Sequence, residues 1–255
     1  MQLPPAHADY AQIRGACRAI EESGADIVFN WDHFWPLGRG SEARTGKHFE
    51  CWTTLGAWAE ATTRIEFGPL VSAIGYRNPD LLADMARTLD HVSGGRLVLG
   101  VGAGFREAEY AEYGLPFGTP AERVRQLEDG LARIERRLGL LSPPPTRKIP
   151  VLIAGGGERK MLAVVARYAD IWNTFAEGED YARKSRILDE HCARTGRDPA
   201  GIERSVLVAG DPAAVGEPLL AMGVRLFIVG VHPPFDLREV ERWIAWRDRH
   251  EPRSE

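Results

Sequence analysis

Residues 26–36 read DIVFNWDHFWP. The apolar run that begins at Ile27 suits a buried strand, of the kind a parallel sheet covered on both faces requires. It ends in Asp32 and His33, side by side, with Trp31, Phe34 and Trp35 around them. A polar pair at the tip of a buried strand is either a site or a plug, and the rest of the chain bears on which.

Comparable short runs, β-branched or apolar, fall at 1–4, 64–71, 96–101, 150–154, 170–173, 203–208 and 225–230. Helical patterns separate them. After the third run, Asn78 and Pro79 supply an N-cap and a first-turn proline; Leu81, Leu82, Met85, Leu89 and Val92 form a stripe, and Gly94 stops it. Thr119, Pro120 and Glu122 open another helix, with Val124, Leu127, Leu131, Ile134 and Leu138 on one face. Asp236 and Glu239 read as a capping box for the last helix, with Val240, Trp243 and Ile244 inward. Eight strand–helix units are what a closed (β/α)8 barrel needs, so the reading is α/β, a single TIM-like barrel forming one domain over residues 1–255. The proline-rich stretch LSPPPTRKIP at 141–150 reads as a turn between a helix and the next strand, since neither half alone would close a sheet.

Composition agrees with a packed globular protein: 255 residues, 44% apolar and 27% charged. Acids and bases are intermixed at a net charge of −4, which argues against nucleic acid or an anionic membrane as partner. Cys17, Cys51 and Cys192 are three and far apart, which suggests reduced core thiols, with no disulfide framework and no metal site. No signal-peptide pattern is found in MQLPPAHADY and no apolar run is long enough for a bilayer, so a soluble cytoplasmic protein is expected.

In such a barrel the site lies at the C-terminal strand ends. AGGGERK at 154–160 puts three glycines between a strand and a helix, where backbone N–H groups and partial positive charge suit a phosphate; a plain tight turn is the alternative. Arg159 and Lys160 add charge there, or are solvated helix residues. LGVGAGF at 99–105 lacks the spacing of a dinucleotide fingerprint and no P-loop lysine follows; its glycines either relieve crowding at the rim or admit a flat ring. His33 is the candidate acid or base near neutral pH, and Asp32 either fixes its tautomer or takes a cofactor hydroxyl; a satisfied structural histidine is the bland reading.

Several blocks resemble the luciferase-like (LLM class) oxidoreductases, and within them the coenzyme F420-dependent branch: Asp32–Phe34, YRNPDLLADMARTLDHVSGGRLVLGVGAGF at 76–105, EYGLPFG at 112–118 and IPVLIAGGGERK at 149–160. The resemblance runs nearly end to end. It implies a barrel with a deazaflavin across the strand ends, His33 as acid or base near the ring, and Asp32 bonded to the cofactor. It further implies a non-proline cis peptide at Leu70 and Val71 behind the ring, Gly102, Ala103 and Gly104 bordering it, and Ala154, Gly155, Gly156 and Gly157 holding the phosphate, with Asn78 either a lesser contact or only an N-cap. The expected activity is hydride transfer between the deazaflavin C5 and a small organic substrate, with a homodimer as the family's assembly. An FMN-dependent monooxygenase on the same barrel, or a deazaflavin-binding protein with little catalysis, are the alternatives. The family's sugar-phosphate dehydrogenases carry a glutamate where Phe105 stands and a tryptophan where Leu37 stands, so glucose 6-phosphate is not expected. The resemblance also makes the strand at 1–4 look clipped, so the barrel's first edge is expected to be poorly ordered.

Overall fold

The structure is a computed structural model that describes residues 1–37 and 45–250; residues 38–44 and 251–255 of the expected domain lie outside the described residues. Its elements in chain order are α1 (Tyr10–Glu22), β1 (Ile27–Asn30), α2 (Cys51–Ala61), β2 (Glu66–Pro69), β3 (Ser72–Ala73), α3 (Pro79–Ser93), β4 (Leu99–Gly102), α4 (Glu107–Glu112), α5 (Pro120–Leu138), β5 (Val151–Ala154), α6 (Met161–Tyr168), β6 (Ile171–Thr174), α7 (Gly178–Thr195), β7 (Glu203–Val208), α8 (Pro212–Ala221), β8 (Val224–Val229) and α9 (Arg238–His250).

All the strand pairings are parallel. The strands form a pair, β1–β2, and a run from β3 to β8 in sequence order. Two seams join them into a (β/α)8 TIM-like barrel. On one side Phe67 of β2 bridges Leu97, just ahead of β4, with Phe67 N–H to Arg96 O at 3.0 Å and Val98 N–H to Phe67 O at 2.9 Å. On the other, Gln2 bridges both Phe29 and Gly230; Leu3 N–H donates to Phe29 O and Val231 N–H to Gln2 O, each at 2.8 Å. Residues 1–4 therefore serve as the first of eight staves by single bridges, and the edge expected to be poorly ordered is bonded on both flanks.

Alternation along the strands sorts the core into two layers. Ile27, Phe29, Leu70, Val98, Leu152, Ile171 and Ile228 pack together inside the barrel. Their neighbours Val28, Phe67, Leu97, Leu99, Ile153, Trp172 and Val229 face the helices in the larger cluster. The expected run at 64–71 stops at Pro69, and β3 resumes at Ser72 after the cis peptide Leu70–Val71.

Helix punctuation mostly follows the sequence. Asn78 caps α3, Gly94 ends it at φ 67°, and Thr119 with Glu122 forms the capping box of α5. The α3 stripe needs correction. Leu82, Ala83, Ala86 and Leu89 are buried, while Leu81 and Val92 are 54% and 44% exposed. The small alanines, one helical turn apart, let the helix lie close to its neighbours, so size rather than hydrophobicity chose the inward face. The capping box of α9 also does not form: Asp236 accepts from Arg238 N–H, but Glu239 turns away to accept from Gly210 N–H at 2.7 Å. Cys17, Cys51 and Cys192 are free and buried. No described helix is long and apolar enough to cross a membrane.

Candidate active site

The inward-facing positions of the strands continue upward past the barrel core, and their next residues enclose a cavity of about 460 Å³ at the C-terminal strand ends. Phe29 is followed on its face by Trp31, Leu152 by Ala154, Ile171 by Asn173, and Val98 by Gly100 and then Gly102. Trp31, Ala154, Asn173 and Gly102 all line the cavity, as do Asp32, His33, Leu70, Val71, Ala103, Gly104 and Gly155. The tips of the 26–31 and 150–154 runs thus border one space. Leu37, Tyr76, Phe105, Met161, Phe175 and Leu207 complete most of the wall.

His33 is held from an unexpected direction. Its Nδ1 lies 2.9 Å from Oε2 and 3.1 Å from Oε1 of Glu109, a fully buried residue on α4. Tyr76 donates its hydroxyl to the same Oε2, and Arg106 Nε stands 3.6 Å from Oε1. Burial pushes the Glu109 carboxyl up, but the bonds from His33 and Tyr76 and the Arg106 charge more than offset it and hold it below the usual range. An ionised carboxylate only accepts, so Nδ1 carries the hydrogen and Nε2 is left for whatever enters the cavity. Burial and the neighbouring Glu109 push the Tyr76 phenol far up, keeping it a neutral donor.

Asp32 therefore does not fix the tautomer of His33. Its carboxylate is committed to Arg77, which donates to both oxygens, and to Ser72 Oγ at 2.6 Å. Ser72 in turn accepts from Trp52 Nε1 at 2.9 Å, and Arg77 also reaches Glu50 at 2.6 Å. A buried anion needs this many donors, and Asp32, 2% exposed, finds them beneath the cavity wall.

The glycines of 99–105 are set by packing as much as by access. A Cβ on Gly102 would stand 2.8 Å from Val71 Cγ2, and one on Gly104, at φ 79°, would run into the Tyr110 hydroxyl. Gly155, which also lines the cavity, adopts φ 149°, and a Cβ there would meet Met161 at 2.9 Å. Gly156, Gly157 and Arg159 follow outside the lining, on the turn into α6; Leu162 N–H donates to Gly157 O at 3.0 Å. A Cβ on Gly156 would lie 3.2 Å from Thr174 Oγ1 and 3.4 Å from Lys184 Nζ. A hydroxyl, an ammonium and bare backbone thus converge on the turn, a donor set that fits a phosphate. Lys184 is meanwhile neutralised by Asp180 at 2.5 Å. Trp31 adds a second fit: it is 6% exposed, and its indole N–H has no partner among the described residues. Asn78 is outside the lining; its Oδ1 accepts from Asp80 N–H at 2.9 Å and from Arg133 at 3.2 Å. No cluster of metal-ligating side chains occurs among the described residues.

A family model described as luciferase-like monooxygenase matches residues 2–240. The chain belongs to that family. Among curated proteins, this luciferase-like chain is 29% identical over 269 residues to the phthiodiolone/phenolphthiodiolone dimycocerosates ketoreductase of Mycobacterium tuberculosis H37Rv, covering 90% of this chain and 68% of the relative. Among solved structures, an F420-dependent secondary alcohol dehydrogenase in complex with an F420-acetone adduct superposes with a TM-score of 0.72 at 18% identity, over 96% of this chain and 88% of that one. A riboflavin lyase with modified FMN superposes with a TM-score of 0.69 at 15% identity, over 87% of this chain and 65% of that one. The chain therefore spans about two thirds of the length of two of these three.

Within this luciferase-like barrel, the sequence reading missed Glu109, Tyr76, Arg77, Ser72, Phe175 and Lys184. Glu109 stands among Glu107 and Glu112 in REAEYAEY and has no signal of its own. One cue was available: the segment follows a strand tip, where barrel sites are built.

Proposed function

We propose that this luciferase-like chain is an oxidoreductase that uses coenzyme F420, transferring a hydride between the deazaflavin C5 and a small organic substrate. The observation that carries it is one cavity lined both by the His33 imidazole and by Gly155, the start of the triple-glycine turn. The cofactor, when bound, supplies the hydride chemistry.

The residues do the rest. Gly155, Gly156 and Gly157, with Thr174 and Lys184, hold the phosphate; Leu70, Val71, Ala103 and Gly104 give the ring an apolar bed; Trp31 offers its free N–H to a ring oxygen. His33 moves the proton at Nε2, with Glu109 accepting from Nδ1 and keeping the ring in orientation. The 29%-identical ketoreductase and the dehydrogenase neighbour support redox chemistry of this kind. An FMN-dependent monooxygenase remains the second reading, favoured by the neighbour that carries a modified FMN and by a phosphate seat that serves both cofactors.

Fluorescence titration separates them. Reduced deazaflavin is expected to bind tightly and FMN weakly; equal or reversed affinities remove the deazaflavin assignment.

A further inference from the structure

Resting on the deazaflavin reading, we propose that the triple-glycine turn selects by charge. It takes a singly charged phosphodiester in preference to a doubly charged phosphomonoester, and Asp180 sets that preference through Lys184.

Both candidate cofactors carry a phosphate that the turn can meet, and they differ in its charge. The phosphate of the deazaflavin coenzyme is esterified on both sides and holds a single negative charge. That of FMN is a monoester, with about −1.5 to −2 near neutral pH. The turn adjoins the cavity lined by Trp31, whose buried indole N–H has no partner among the described residues, so a ligand is called for on that side of the barrel.

The turn is held firmly. Trp172 Nε1–H donates to Gly155 O at 2.8 Å, and His191 Nε2 lies 2.9 Å from Glu158 O, which ties it to β6 and to α7. Thr174 and Lys184 converge on the bare backbone of Gly156. Thr174 Oγ1 accepts from Ala176 N–H at 3.1 Å, so its hydroxyl hydrogen is what it has left to give.

The charges there are balanced in advance. Lys184 Nζ is bonded to Asp180 Oδ2 at 2.5 Å; the other oxygen of Asp180 takes Arg183, which also reaches Glu158 Oε1 at 2.6 Å. Glu158, Arg183, Asp180 and Lys184 thus form a chain of alternating sign and no net charge that ends at Gly156. The bonds from Lys184 and Arg183 hold the Asp180 carboxyl below its usual range, so it stays ionised near neutrality. Arg159 and Lys160 are exposed on the same turn, where water and salt screen them. An ion pair four residues apart is ordinary on a solvated helix, and α7 has one in Glu190 and Arg194, at 3.5 Å with the arginine 65% exposed. Lys184 differs in being 19% exposed and set against backbone.

Stripping water from an anion costs roughly as the square of its charge, so the second charge of a phosphate is dearer than the first and needs an unbalanced cation to offset it. A monoanion finds enough in the Thr174 hydroxyl, the remaining Lys184 hydrogens and the backbone N–H groups. A dianion also meets the Asp180 carboxylate, which has already matched the charge of Lys184.

The test titrates one 5-deazariboflavin ring in three forms, with no phosphate, as the 5′-phosphomonoester and as its methyl phosphodiester, by fluorescence at neutral pH. In the unmodified protein the diester is expected to bind about twofold or more tighter than the monoester. Asp180→Asn should shift that ratio about two- to fivefold towards the monoester, the size typical of a partly exposed charge. Asp180→Glu should restore it, and adding Lys184→Gln to Asp180→Asn should cancel the shift. The phosphate-free ring should bind every variant alike, which also reports that they are folded; an Asp180 with a merely structural role would weaken all three forms together. A monoester that binds the unmodified protein as tightly as the diester, or a ratio that Asp180→Asn leaves unmoved, overturns the proposal. The same three forms on the riboflavin ring keep the two readings apart: flavin binding as tight as deazaflavin removes the cofactor assignment, while the diester-to-monoester ratio within either ring still decides the charge selection.

Discussion

At the scale of single residues, the adjacent Asp32 and His33 have separate supports, and this divides what mutations do. His33 is a group at the cavity wall, so His33→Ala is expected to slow single-turnover hydride transfer by about 10²-fold or more while cofactor affinity changes far less. Unchanged rates would make His33 a structural residue. Glu109 acts through His33. Its carboxyl is held below its ordinary value of 4.5, so the stability it contributes is fully present above that pH and is lost as pH falls through the folded value. Thermal melts should therefore drop on acidification, and Glu109→Gln should melt lower at pH 7 but lose less on going to acid. A Gln variant with the wild-type acid arm would show that the carboxylate is not the group responsible. His33 and Asp32 were legible in the sequence because they follow a buried run. The Glu109 partnership was not, because it depends on where α4 lands, and nothing local in REAEYAEY distinguishes one glutamate from the next.

At the scale of elements, the β4–α4 segment is where conformation and packing meet. Gly104 at φ 79° has the Tyr110 hydroxyl and the Ala73 Cβ where its own Cβ would be, whereas Gly114, at φ 66°, has nothing within 4 Å. Both are in the left-handed region, so an alanine at either pays a conformational cost of about 1–2 kcal/mol. Gly104→Ala adds overpacking and should destabilise by roughly 1–3 kcal/mol more than Gly114→Ala, as read from urea midpoints. Equal losses would mean that the tyrosine yields. Capping signals were readable wherever cap and partner lie within one turn, as in Thr119 and Glu122. They misled at α9, because Glu239 found a better donor, Gly210 N–H, on a neighbouring loop. The α3 stripe misled for a related reason: hydrophobicity was counted, and the close approach that alanine permits was not.

At the scale of the whole molecule, the eightfold alternation was plain in the sequence, since each apolar run must be covered by the helical pattern that follows it. Closure was harder to read, because the two seams rest on single bridges at Gln2 and Phe67, which leave no periodic mark. Hydrogen exchange tests them. The amides of Leu3, Phe29, Phe67 and Val231, all bonded across the seams, should exchange in the slowest class together with those of β4 to β7. Fast exchange at Leu3 and Val231 alone would mean that the barrel opens at its first stave.

The divergent anchoring of two consecutive side chains has an evolutionary corollary. Asp32 is tied to Ser72 and Arg77 between β2 and α3, and His33 to Glu109 beyond β4, so the two neighbours are tuned from different stretches of chain. Substitutions in 104–113 can therefore change the support of His33 while Asp32 keeps its bonds to Ser72 and Arg77. A lineage built this way is free to explore new chemistries one loop at a time.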